Sequence, residues 1–187
     1  MVEINVAVSN RHVHLSRDVL DILFGKGVEL TVRNWLSQKD DFASNETVSL
    51  KSAKGIIEEV RVVGPVRDYT QVELAKSDAD YLGLNPPVRD SGDLDNSEEI
   101  TLIGPKGDVK LKNVCIIACN HIHASNDELP MYKSGDVVSV KTKAGVVIDN
   151  VHIKKHNSFS LEMHIDKDNS AKYNLVDGNK VILEKSD

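Results

Sequence analysis

Asn10-Arg11-His12-Val13-His14-Leu15-Ser16 and Asn120-His121-Ile122-His123-Ala124-Ser125 are variants of one motif, His-x-His followed two positions later by Ser. Each copy comes directly after an apolar run. On a strand, successive side chains point to opposite faces, so His12 and His14 share a face, as do His121 and His123. Imidazole pairs held that way are ready metal ligands. Four of the seven histidines fall in these two copies, which predicts two related half-sites that each donate metal ligands. Of the other three, His164 lies in Leu161-Glu162-Met163-His164-Ile165-Asp166, where alternation puts Glu162 and His164 on the face opposite Leu161, Met163 and Ile165. His164 is therefore a candidate further ligand, whereas His152 and His156 read as solvent-facing.

A third segment, Gly64-Pro65-Val66-Arg67-Asp68-Tyr69-Thr70-Gln71-Val72-Glu73-Leu74, alternates Gln71 and Glu73 with Val72 and Leu74. A Glu73 carboxylate could complete a His12/His14 site, as His164 could complete the His121/His123 site. Exposed charges are usually just solvated, and on the residues alone Glu73 is equally a solvated strand carboxylate and Arg67 equally a surface turn residue.

The elements that must position these groups are mostly short strands. Ile4, Val6 and Val8 alternate with Asn5, Ala7 and Ser9 as a half-buried strand leading to the first histidine pair. Ser16 is then a helix N-cap, 17–24 a short helix and Gly25 its stop. The second copy runs alike: 114–118 is strand, and Ser125-Asn126-Asp127-Glu128 reads as a capping box before a helix that Pro130 keeps short or irregular. Residues 47–50, 56–63, 100–103, 109–117, 137–141 and 146–153 are rich in β-branched residues, with turns at Lys54-Gly55, Pro105-Lys106-Gly107-Asp108 and Ala144-Gly145. The expected fold is mainly β: two small barrels from an internal duplication, capped by short α-helices. The first barrel half is placed at 1–85, with His12, His14 and Glu73. The second is placed at 97–187, with His121, His123 and His164. The aperiodic stretch 86–96 connects them, and strands are free to cross between the halves.

Length and composition bound the function. A chain of 187 residues, 40% hydrophobic and 28% charged, is globular. A net charge of −6 and 4% aromatics argue against nucleic-acid binding, so an anionic ligand needs a local cation or a metal. No apolar stretch approaches a membrane span, and no signal peptide is recognisable. Cys115 and Cys119, about 13 Å apart on one strand, are too distant for a mutual disulfide and read as core thiols of a cytosolic protein.

Taken together, these segments resemble the phosphate propanoyltransferases, the phosphotransacylases of bacterial propanediol and ethanolamine utilisation. The matching stretches are Val8 with the first histidine motif, 64–73, Pro87-Val88-Arg89-Asp90-Ser91-Gly92-Asp93, 120–125 and 161–166, in the family's order over nearly the whole chain. The resemblance implies two β-barrels capped by short helices, with two zinc ions in a cleft between them. Carried over residue by residue, His12, His14 and Glu73 bind one zinc, and His121, His123 and His164 the other. Arg67 matches the arginine placed near phosphate. Asn120 stands where many relatives carry arginine, while Arg11 in the first copy is intact. That departure bears on position 120 and not on the metals.

The implied reaction converts acyl-CoA and phosphate reversibly into acyl phosphate and CoA. Three protein ligands per zinc leave positions open for catalysis. The histidines alone also fit a di-zinc hydrolase of thioesters or phosphoesters, or a non-enzymatic zinc-stabilised β-barrel binding module. Acetyl and propionyl differ by one methylene, too little for the sequence to separate. The resemblance also suggests a homodimer or larger assembly. Some relatives enter bacterial microcompartments through an amphipathic N-terminal extension. Only Met1, Val2 and Glu3 precede the first strand here, and 181–187 reads as a strand with a charged tail, so the expected location is the cytoplasm, or a microcompartment entered only through a partner.

Overall fold

The computed structural model describes residues 1–184; the charged tail expected at 185–187 lies outside the described residues. The alternation at the start of the chain forms strand β1 (Val2–Ser9), with Ile4 and Val6 buried. Every run expected to be strand lies within a strand except Val146, which sits in the turn before one.

The chain divides into two compact units, and each closes a six-stranded barrel. One unit takes residues 1–10 and those from Cys119 onward. Its barrel runs from β1 to β13 (Glu162–Asp166), β10 (His121–Ala124), β12 (Val147–Lys155), β11 (Val137–Thr142), β14 (Lys180–Leu183) and back to β1. The other unit is 11–118. Its barrel runs from β9 (Asp108–Ala118) to β6 (Gln71–Glu73), β2 (His12–His14), β5 (Ile56–Gly64), β4 (Phe42–Lys51), β8 (Glu98–Ile103) and back to β9. Two further strands, β3 (Val32–Trp35) and β7 (Val88–Arg89), extend this sheet from β4 and β9.

The barrels agree strand for strand, including which pairs are parallel: β1 with β13 and β10 with β12 in one, β9 with β6 and β2 with β5 in the other. The duplication is therefore real at the level of pairing, but its units are not the halves 1–85 and 97–187. The strand before each histidine motif joins the barrel that does not hold that motif. Thus β1 pairs with β13 and β14, whereas β8 and β9 pair with β4 and β6. Residues 86–96 belong to the 11–118 unit, through the pairing of β7 with β9.

Helix α1 (Arg17–Phe24) forms as expected, with Ser16 at its N-cap position and Gly25 at its stop, but the Ser16 side chain makes no capping hydrogen bond. The Ser16 hydroxyl instead meets the Thr70 hydroxyl at 3.1 Å. Glu128 does reach back to the Ser125 N–H at 2.7 Å, yet the residues that follow make turns and not a helix. The other two helices, α2 (Lys76–Leu82) and α3 (Lys167–Lys172), are too short and polar to show a helical period. Among the described residues, no helix is long and apolar enough to cross a membrane. Both cysteines are buried, and neither forms a disulfide.

Candidate metal centre

Each histidine motif is a very short strand, of three residues in β2 and four in β10, with an antiparallel neighbour. The middle residues pack inward. Val13 faces Val72 and Ile122 faces Met163, and all four are fully buried in their unit's core. The histidines must therefore project from the opposite face, because side chains alternate along a strand. Directly opposed residues stand with Cβ atoms about 4.5–5.5 Å apart. The registers place His12 against Glu73 and His14 against Gln71 in one unit, and His121 against His164 and His123 against Glu162 in the other. Each unit thus carries a two-by-two patch of polar side chains on the outer face of its barrel.

In the 11–118 unit, His12 Nε2 lies 3.2 Å from His14 Nε2. Glu73 Oε2 is 3.4 Å from His12 Nε2, and Glu73 Oε1 is 3.8 Å from His14 Nε2. A tetrahedral zinc with bonds of about 2.0–2.2 Å sets neighbouring donors about 3.3 Å apart, so the spacing suits such an ion. The charge states suit it as well. Burial pushes the His14 pKa down to about 3, helped by the neighbouring His12 and Arg67 and opposed by Glu73, so the ring stays neutral with a lone pair to offer. His14 Nδ1 is buried without a hydrogen-bond partner.

Gln71, fully buried, holds this patch together. Its Nε2 donates to Glu73 Oε1 at 2.6 Å and its Oε1 accepts the Gly92 N–H at 2.8 Å. Ser91 Oγ donates to the same Glu73 oxygen at 3.2 Å. Ser91 and Gly92 come from the stretch 86–96, expected as a connection and containing one of the segments that carry the family resemblance, but not expected to contact this patch. Arg67 is half-buried beside the patch. Its backbone N–H donates to the Leu15 carbonyl at 2.9 Å and its guanidinium to the Tyr69 hydroxyl at 3.3 Å. Arg11 makes an ion pair with the buried Asp78 of α2 at 3.1 Å.

In the other unit, donor atoms of His121, His123 and His164 lie within 4.8 Å of one another. His121 Nδ1 donates to the Cys119 carbonyl at 2.9 Å. That bond leaves the lone pair on Nε2, the usual arrangement of a metal-ligating histidine. Phe159 stacks on His123 with ring centroids 4.1 Å apart, a support that no sequence pattern announces. His164 Nε2 bonds Glu162 Oε2 at 3.0 Å. Just beyond, Asp166 accepts from the Asp168 and Asn169 N–H groups and starts α3. Asn120 gives its carbonyl to the His152 N–H at 2.9 Å. His156 is exposed as expected, but His152 is half-buried because it sits in β12 paired with His121.

Known proteins extend the comparison. A family model described as phosphate propanoyltransferase matches residues 5–176. A protein of Thermotoga maritima named phosphate propanoyltransferase is 46% identical over 179 residues, covering 92% of this chain and 85% of its own. Relatives of the same name from Priestia megaterium and Rhodobacter capsulatus are 45% identical over 182 residues and 41% over 184. The alignments cover 95% and 96% of this chain and 84% and 86% of theirs.

Proposed function

The chain belongs to the phosphate propanoyltransferase family, and from that premise we propose that it interconverts a short-chain acyl-CoA and phosphate with acyl phosphate and CoA. The substrate class, propionyl-CoA in the first instance, follows the names of the relatives. Each unit would hold one zinc ion, on His12, His14 and Glu73 in one and on His121, His123 and His164 in the other. The observation that carries this reading is the pair of register-equivalent donor triads, of which the first has its atoms 3.2–3.8 Å apart.

With only three protein ligands, a bound zinc would keep open positions and supply Lewis-acid polarisation of a thioester carbonyl or phosphate oxygen. The chain's own residues do the rest. Arg67, steadied through its backbone and by Tyr69, binds phosphate oxygens through a planar fork of donors. Held there, a phosphate oxygen attacks the thioester carbonyl carbon. The C–S bond then breaks and the sulfur leaves as the CoA thiolate. Gln71 and Ser91 keep the Glu73 carboxylate from swinging away. A low pKa keeps His14 from taking up a proton and losing its lone pair.

The test is CoA release from propionyl-CoA and acetyl-CoA, with and without phosphate. Release that requires phosphate supports the proposal. Release without phosphate would make the protein a thioester hydrolase, and no release under either condition would leave a metal-binding module.

A further inference from the structure

Both patches place a non-ligand residue opposite the second histidine of the motif: Gln71 opposite His14, Glu162 opposite His123. Each sits two positions before the third donor of its triad and bonds to it. Gln71 Nε2 donates to the Glu73 carboxylate at 2.6 Å, and Glu162 Oε2 accepts from His164 Nε2 at 3.0 Å. The polarity is matched in each case. The carboxylate, which can only accept, has an amide donor beside it; the imidazole, which can donate, has a carboxylate beside it.

The charges follow the same pattern. The 11–118 triad contains one carboxylate, and the triad of the other unit contains none. Three neutral imidazoles would leave a divalent cation's charge uncompensated in a patch where the Glu162 and His164 side chains are only 15% and 22% exposed. Glu162 restores one negative charge to that patch, so each half-site carries one carboxylate, opposite the first histidine in one and opposite the second in the other.

We infer that Glu162 is a positioning residue of the second metal half-site, which holds the His164 ring through its Nε2–H and balances the charge of the bound cation. This rests on the two-ion reading above and adds a residue to it. A carboxylate behind a ligating imidazole fixes its orientation and raises its basicity, and removing such a partner lowers metal affinity about 10–100-fold.

The experiment is zinc titration of metal-free wild type, Glu162→Ala, Glu162→Gln and His121→Ala proteins against a chromophoric chelator, with cobalt(II) absorption spectra recorded alongside. Wild type should take up two ions. Glu162→Ala should weaken one of them 10–100-fold. Glu162→Gln should weaken it less, because the amide oxygen still accepts from His164. The cobalt spectrum that survives in Glu162→Ala should be the one that survives in His121→Ala. If Glu162→Ala does not fold, Glu162→Gln carries the test by the weakening of the same ion. Two wild-type affinities and an unchanged cobalt spectrum in the Glu162 variants would overturn the role of Glu162 and leave the two-ion reading intact. A wild type that takes up no divalent ion would overturn that reading, and this inference with it.

Discussion

The two half-sites are built on the same strand frame and filled differently. His12 and His14 stand opposite Glu73 and Gln71, while His121 and His123 stand opposite His164 and Glu162. The backbone pairing decides where four side chains meet, and the residues chosen decide charge and hydrogen-bond polarity. A second difference lies just upstream. Four positions before Gln71 the chain carries Arg67, and four before Glu162 it carries Ser158. At that upstream position only the 11–118 half-site has a cation; in the other unit Lys154 of β12 pairs with His123 instead.

The largest expected effect concerns what the half-sites share. Ile122 and Val13 fill the same place beneath their histidine pairs. Ile122→Ala should cost about 2–5 kcal/mol, and Val13→Ala about 0.5–1.5 kcal/mol less because less volume is removed. Urea unfolding of metal-free protein measures both. An Ile122→Ala protein as stable as wild type would break the equivalence at its base.

Arg67 probes what the half-sites do not share. Arg67→Ala should raise the KM for phosphate and lower turnover at unchanged metal content, by about 1.5–3 kcal/mol for each charge-assisted hydrogen bond lost. Arg67→Lys should recover only part, because a point charge cannot replace the fork. Ser158→Ala should leave the phosphate KM where it is. Wild-type kinetics in Arg67→Ala would reduce Arg67 to a surface turn residue.

Much of this was legible in the residues because strands have a period of two. Alternation alone puts His12 with His14, Gln71 with Glu73 and Glu162 with His164, and the repeated motif announces two half-sites. Which strands pair was not legible. Nothing local to Ile4 or Cys115 tells that β1 and β9 each enter the barrel opposite in kind to the motif they precede, since pairing is decided by long-range closure of the barrel. The clamp of Ser91 and Gly92 on Gln71 and Glu73 was hidden for the same reason. The capping box at Ser125 misled because its hydrogen bond forms in an isolated turn as readily as in a helix.

A smaller effect contrasts two strands. Cys115 on β9 pairs with Val72, as Val6 on β1 pairs with Met163. Burial, and then the Glu98 charge, push the Cys115 pKa from 9.0 up to about 12. The unfolded thiol ionises first, so the contribution of Cys115 to stability is whole below about pH 9 and is lost as pH rises toward about 12. Urea unfolding across that range should show a fall that Cys115→Val removes. Rapid alkylation of native Cys115 at pH 8 would contradict its burial.

The smallest effect lies at a bulge that both barrels share. Glu59 on β5 and Asn150 on β12 both have positive φ, 55° and 58°, beside register shifts in equivalent strand pairs. Asparagine tolerates this conformation better than glutamate. Glu59→Asn should therefore raise stability by less than about 1 kcal/mol, and Asn150→Glu should lower it by a similar amount, both read from thermal midpoints.

The equivalence of the two half-sites as metal sites is tested most directly by the metal content of purified wild type, His12→Ala and His121→Ala. Two ions in the wild type and one in each variant, with His12→Ala and His121→Ala retaining different ions as told by their cobalt spectra, is the predicted result. Full wild-type metal content in both variants would contradict the assignment of the ligands.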